Sequence, residues 1–227
     1  DAMHFSAGVN LNYFYDRAVN KEFKDIDIFL NNFQQSLYQL QHAKFPVVSC
    51  PSGLAIGGGY EVISQTSFIA AHSNSVLGLV ESLVGLIPAG GGCKEMLRRW
   101  ANHSDIKNDP KKLSLKVFNL IGYATTTDSP IKAKAQQFLG EQDIMVMSKD
   151  RLIEEADNII FSNKENYQSL DSATFSLPGS TVMSDMMNIL YDLKDKKVIG
   201  EHGIEVGKKL GYMLSGGDTT PSTILTE

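Results

Sequence analysis

Gly57-Gly58-Gly59-Tyr60-Glu61 and Leu79-Val80-Glu81-Ser82-Leu83-Val84-Gly85-Leu86-Ile87-Pro88-Ala89-Gly90-Gly91-Gly92 decide how this chain is read. Each stretch sets a glutamate beside a glycine run. The apolar run Phe45-Pro46-Val47-Val48-Ser49-Cys50 precedes the first, and its length and β-branched content predict a buried strand. Pro51-Ser52-Gly53 turns the chain, and a helix is predicted to begin near Gly58. A glycine turn that opens a helix leaves its amides pointing outward, where the helix dipole favours negative charge. No Gly-Lys-Ser/Thr follows, so the turn is no P-loop. The dinucleotide fingerprint fails because its third glycine would fall on Val62. Taken alone, Gly57 to Gly59 also fit a tight strand-to-helix turn without chemistry.

Glu61 by itself reads as a first-turn residue answering the dipole, but Val62 and Ile63 follow it and an apolar strand precedes it. A carboxylate in such surroundings is costly unless it has a role. Glu81 lies in a more apolar stretch, residues 76–84, where the competing reading is a buried salt bridge to Arg98 or Arg99. Two carboxylates sharing a pocket can hold a water molecule and divide the proton transfers. Amides exposed by a glycine turn can stabilise a developing oxyanion. Together these features point to addition of water next to a carbonyl, with Tyr60 placed to line the pocket.

Outward from this centre, residues 11–41 follow a helical pattern in which Ile26, Phe29, Leu30, Phe33, Leu37 and Leu40 form a core-facing stripe without a chemical role. Phe68-Ile69-Ala70-Ala71 predicts a second strand, residues 76–81 a brief strand or turn, and residues 94–100 a helix. Pro110 suits a helix start, and Leu113, Val117, Leu120 and Ile121 continue at helical spacing. Further helices are predicted over 131–139, 150–162, 181–194 and 203–214, with a polar loop over 163–179. The expected organisation is an α/β segment, 1–100, followed by a helical region, 101–227.

The bulk composition narrows the classes. The chain has 227 residues, a net charge of −5 and a hydrophobic fraction of 42%, with no basic stripe, which argues against nucleic acid as a main partner. Cys50 and Cys93 have no metal-ligand spacing and read as reduced thiols of a cytoplasmic protein, a bridge between them being the alternative. His4, His42, His72, His103 and His202 show no ligand spacing either, and no Gly-x-Ser-x-Gly elbow occurs. No apolar run reaches about 18 residues, so no membrane span is expected. The chain opens at Asp1 without a starting methionine, and the expectation is a piece of a longer polypeptide.

Three blocks, in order, resemble the enoyl-CoA hydratase/isomerase (crotonase) family. They are Phe5-Ser6-Ala7-Gly8-Val9-Asn10-Leu11, Pro46-Val47-Val48 through Glu61, and Glu81 through Gly92. The stretches Gly78-Leu79-Val80-Glu81 and Gly92-Cys93-Lys94-Glu95-Met96-Leu97, with Gln142-Asp143-Ile144, are similar to the branch that joins a 3-hydroxyacyl-CoA dehydrogenase to a hydratase. The resemblance implies an α/β fold of repeated β-β-α turns with appended helices, lacking its N-terminal strands, and an acyl-CoA substrate. It implies that the Val9 and Gly58 amides form an oxyanion hole. It assigns Glu61 to activating water and Glu81 to delivering a proton to C2. Ala7, Gly8, Gly57, Gly59, Pro88 and Gly91 would line the substrate site. It further implies no metal or cofactor in this chain, NAD only in a dehydrogenase domain outside it, and a homo-oligomer. Val9 stands where alanine is usual, Asn10 where aspartate is common, Asn12 where many members carry a positive residue. Ala89-Gly90-Gly91 lacks the aromatic residue expected in the dehydrogenase-linked branch.

Overall fold

A computed structural model describes residues 3–221 and 223–227. Its contacts cluster into two units that interleave along the chain. The first comprises Asp1–Leu79, Ala89–Gly92 and Thr126–Asp171, and the second Val80–Pro88, Cys93–Thr125 and Ser172–Glu227.

The first unit is built from strand-strand-helix turns. Val48–Ser49 and Leu54–Ile56 are followed by the helix Gly58–Ser64, and the next turn supplies the strands Phe68–His72 and Val76–Gly78. Each strand pairs parallel with its counterpart one turn on, Val48 opposite Phe68 and Leu54 opposite Val76, so two sheets grow side by side. Ile144–Val146 extends the first sheet in parallel, and Thr126–Thr127 closes the second antiparallel to Val76–Gly78. Ala55, Ile69, Ala70, Ala71 and Leu77 are fully buried, as expected for strands covered on both faces. Residues Phe5 and Ser6 run alongside Leu54–Ile56: Ser6 N donates to Leu54 O (2.9 Å) and Ile56 N to Ser6 O (3.1 Å). That pairing fixes the position of the following Ala7-Gly8-Val9.

The expected helix over 11–41 is two helices, Leu11–Val19 and Phe23–Gln41. The break falls where Asn20 caps the first and Lys21 takes φ 60°, a left-handed conformation that ends a helix. An aromatic cluster joins the two helices: Phe29 packs on Tyr13 (5.5 Å between ring centroids) and edge-on to Phe14 (5.1 Å).

The second unit is mainly helical. Asp109 caps the helix Pro110–Gly122, its Oδ1 accepting from Lys112 N at 2.9 Å, with Pro110 in the first turn as the sequence predicts. That helix buries Val117 and Ile121 completely, and its Ser114 hydroxyl donates to Leu214 O (2.9 Å) in the helix Glu201–Ser215. Gly207 faces Leu190 of the helix Met183–Asp195 so closely that an added Cβ would collide with the leucine side chain. Glu95, fully buried in the helix Gly92–Ala101, takes hydrogen bonds from both Arg98 and Arg99.

Several expectations require correction. Residues beyond 100 contribute strands as well as helices: Thr126–Thr127, Ile144–Val146, and the antiparallel pair Thr174–Ser176 with Ile224–Thr226. Strands of two or three residues carry no readable alternation, and their partners lie far away in sequence. The predicted loop over 163–179 therefore contains a strand. The helix expected over 131–139 ends at Ala135, because Gln136 caps it and Gln137 adopts φ 58°. Among the described residues no helix is long and apolar enough to cross a membrane.

Candidate active site

Gly57 has φ 56° and ψ −131°, a conformation open to glycine and costly for other residues, and it turns the chain from Leu54–Ile56 into the helix Gly58–Ser64. Gly58 is the first residue of that helix, so its N–H has no intrahelical acceptor. The Val9 amide lies close by: a Cβ placed on Gly58 would be 3.6 Å from Val9 N, and one placed on Gly8 would be 3.6 Å from Gly58 N. Among the described residues neither the Val9 nor the Gly58 amide has an acceptor in the protein. The structure therefore brings together the two amides that the resemblance pairs. Gly8, at φ 100°, donates its N–H to Ser6 Oγ (3.1 Å). Gly59 backs onto Ser6, whose Cβ would lie 2.7 Å from an added Cβ. A side chain at position 59 would thus push the Ser6 to Val9 segment away from the turn.

Glu61 follows one turn along the same helix and is 3% exposed. Its Oε1 accepts from Gly90 N and from Gly92 N, both at 2.8 Å. Burial raises its proton affinity above that of an ordinary carboxylate, and the amides of Gly92, Gly90 and Gly91 pull in the opposite direction without cancelling it. The glycines are required by closeness. A Cβ on Gly90 would fall on the Phe33 ring and 2.8 Å from Glu61 Oε2, and one on Gly92 would be 2.7 Å from Leu79 Cδ2. Gly91, at φ 116°, lets the loop aim both neighbouring amides at one oxygen.

Glu81 and Pro88 belong to the second unit. Glu81 begins a 3-10 turn, Glu81–Val84, and is partly buried, with both carboxylate oxygens shielded from solvent. Its carbonyl accepts from Leu86 N (3.0 Å). Within that unit Ser82 Oγ donates to Ile121 O (3.1 Å) and His202 Nε2 meets Gly85 O at 2.9 Å, so both flanks of the turn are anchored. Pro88 is buried, and its carbonyl accepts from the Cys93 thiol (3.8 Å). Cys50 and Cys93 are not joined by a disulfide.

Tyr60 does not line the pocket. It is fully buried, its hydroxyl donates to Phe138 O (3.1 Å), and its ring stands edge-on to Phe138. The helix period explains this, since neighbours in sequence point about 100° apart and cannot share a face. His4 has a structural role too, its Nδ1 accepting from Leu54 N (3.2 Å). Phe33 is the residue that sequence reading missed. Its place in an apolar stripe marked it as packing, yet its ring lies against both Gly58 and Gly90.

The family model for enoyl-CoA hydratase/isomerase matches residues 2–108, the segment that carries Val9, Gly58, Glu61, Glu81 and the glycines 90–92. This segment belongs to the enoyl-CoA hydratase/isomerase family. The chain is 30% identical over 225 residues to a probable 3-hydroxyacyl-CoA dehydrogenase of Bacillus subtilis (strain 168), covering 99% of this chain and 28% of that protein. It is 29% identical over 99 residues to 2,3-dehydroadipyl-CoA hydratase of Escherichia coli K12, covering 43% of this chain and 36% of that one. Among solved structures, an enoyl-CoA hydratase from Polaromonas sp. JS666 aligns with TM-score 0.57 at 15% identity, over 94% of this chain and 70% of that chain. The enoyl-CoA hydratase subunit I of Geobacillus kaustophilus HTA426 aligns with TM-score 0.54 at 19% identity, over 96% and 70%. The fold is thus crotonase-like, in agreement with the β-β-α turns of the first unit. The chain spans under a third of the length of the Bacillus relative.

Proposed function

We propose that this chain hydrates a trans-2-enoyl-CoA to the 3-hydroxyacyl-CoA, a step of fatty-acid β-oxidation. The observation that carries the reading is the pair of acceptor-free amides, Val9 and Gly58, on the turn that leads into a buried glutamate held by the amides of Gly90 and Gly92. The amides would donate hydrogen bonds to the thioester oxygen as it gains enolate charge, the charge that such donors stabilise best. Glu61, whose burial makes it a stronger base than an exposed carboxylate, would take a proton from water as its oxygen bonds to C3. The electron pair of the C2–C3 double bond moves toward the thioester oxygen. Glu81 would deliver a proton to C2 as the enolate collapses, and proton exchange with bulk water would then reset both carboxylates. This assignment of Glu81 rests on the family resemblance. The reaction needs no metal or redox cofactor. The likeness to the Bacillus dehydrogenase supports placing the chain in a larger protein that also oxidises the 3-hydroxyacyl product with NAD.

The test is the hydration rate of a short trans-2-enoyl-CoA with the parent, Glu61→Gln and Glu81→Gln. Loss of about two to four decades in each variant is expected if both carboxylates move protons. A near-normal rate in Glu81→Gln would overturn its role. Conversion of a 3-enoyl-CoA to the 2-enoyl isomer, without hydration, would instead identify an isomerase.

A further inference from the structure

Two consecutive residues of the helix Phe23–Gln41 reach the loop that holds Glu61. Gln34 Nε2 donates to Ala89 O at 2.6 Å, and the Phe33 ring lies flush against Gly90, leaving no room for a side chain there. The same ring edge comes within 3.7 Å of where a Cβ would stand on Gly58. All of these residues lie in the first unit. We propose that Phe33 and Gln34 form a latch that holds the Ala89–Gly92 loop against Glu61 and so acts as a positioning device for that carboxylate.

The physical need for a latch follows from the loop's composition. Three successive glycines give the backbone wide freedom, yet two of their amides must converge on one oxygen at 2.8 Å. A backbone that free aims its donors only if something outside it removes the freedom. Gln34 fixes the carbonyl that precedes the glycines, and the Phe33 ring fixes the peptide that carries the Gly90 amide. Phe33 is braced in turn by Phe29 (6.2 Å between centroids), which is packed on Tyr13 and Phe14. Burial and the amides of Gly92, Gly90 and Gly91 act on the Glu61 carboxylate, so the loop is its main polar surrounding. The latch is distinct from the two amides at Val9 and Gly58. It would act on the proton acceptor, through the loop, and touch no reacting atom.

The inference rests on the reading of Glu61 as a proton acceptor only for its catalytic consequence, and the experiment keeps the two apart. The Glu61 side-chain carbon is titrated by NMR in the parent chain, Gln34→Leu and Phe33→Leu, with Glu61→Gln for assignment and exchange of the Gly90 and Gly92 amide protons followed in parallel. Loosened amides stabilise the carboxylate less, so the midpoint is expected to move up by about half a pH unit in each variant. The two amide protons should exchange roughly tenfold faster, while the melting temperature of the exposed Gln34→Leu variant stays near that of the parent. An unchanged midpoint with unchanged exchange in both variants would overturn the latch. In the hydration assay, full activity in Glu61→Gln would instead overturn the catalytic reading and leave the titration result standing.

Discussion

At the residue scale, Glu61 is a buried carboxylate whose charged form is held at a cost in stability. Burial raises its folded-state proton affinity above the unfolded value, so folding favours the protonated form. Between the ordinary carboxylate value and the raised one, the native state binds more protons than the unfolded state, and stability falls as pH rises. Glu61→Gln removes that loss. The variant is therefore expected to melt higher than the parent at pH 7, with the gap closing as pH drops below the ordinary carboxylate range, as read by thermal unfolding across pH. Gly90 makes a second case. A Cβ there meets the Phe33 ring and Glu61 Oε2, so Gly90→Ala should shift the loop, cost about 1 to 3 kcal/mol in chemical denaturation, and lower the hydration rate with it. Both sites were visible in the sequence as glutamates beside glycine runs. Phe33 was not, because a ring at helical spacing looks the same whether it packs on a core or on the loop that holds Glu61.

At the scale of the element, the helix Gly92–Ala101 shows how a buried charge is held. Burial alone would raise the Glu95 proton affinity, but Arg99, Arg98 and Lys94 outweigh it and hold the carboxyl below its usual range. The sign is opposite to that of Glu61: the contribution is present at neutral pH and is lost as pH falls through the depressed value. Glu95→Gln should cost about 2 kcal/mol at pH 7. The figure lies under the usual cost of breaking a buried pair because the Arg98 side chain keeps 33% of its exposure and can turn to water. Sequence reading named Arg98 and Arg99 as possible partners for Glu81, and within the helix both bond Glu95, three and four residues back. Such i,i+3 and i,i+4 pairs are legible from spacing, but only burial tells which are worth much. Helix starts were well marked, as at Asp109-Pro110. Helix ends at Lys21 and Gln137 were not, since neither residue type is a customary left-handed cap.

At the scale of the whole molecule, chain order and contact order differ. The first unit draws on residues up to 79 and again on Thr126–Asp171. Its strand Phe68–His72 is paired on one side by Val48–Ser49 and on the other by Ile144–Val146. A fragment ending at residue 108 would lose Ile144–Val146 and Thr126–Thr127 and leave both sheets with open edges. Such edges attract other chains. That fragment is expected to be largely unfolded or aggregated, whereas the full chain gives a cooperative melt, and circular dichroism with light scattering compares the two directly.

The sequence by itself determined the strand-turn-helix around Gly57 to Glu61, because glycine punctuation and apolar runs act over short stretches that a reader can see, and its three blocks carried the family resemblance that pairs the Val9 and Gly58 amides. The tertiary structure alone decided which loop would hold Glu61, that Tyr60 turns away to Phe138, that Phe33 and Gln34 reach Gly90 and Ala89 of that loop, and that strands from beyond residue 120 complete the sheets. Those outcomes depend on pairings between residues tens of positions apart. A long-range contact leaves no periodic trace in either of the segments it joins.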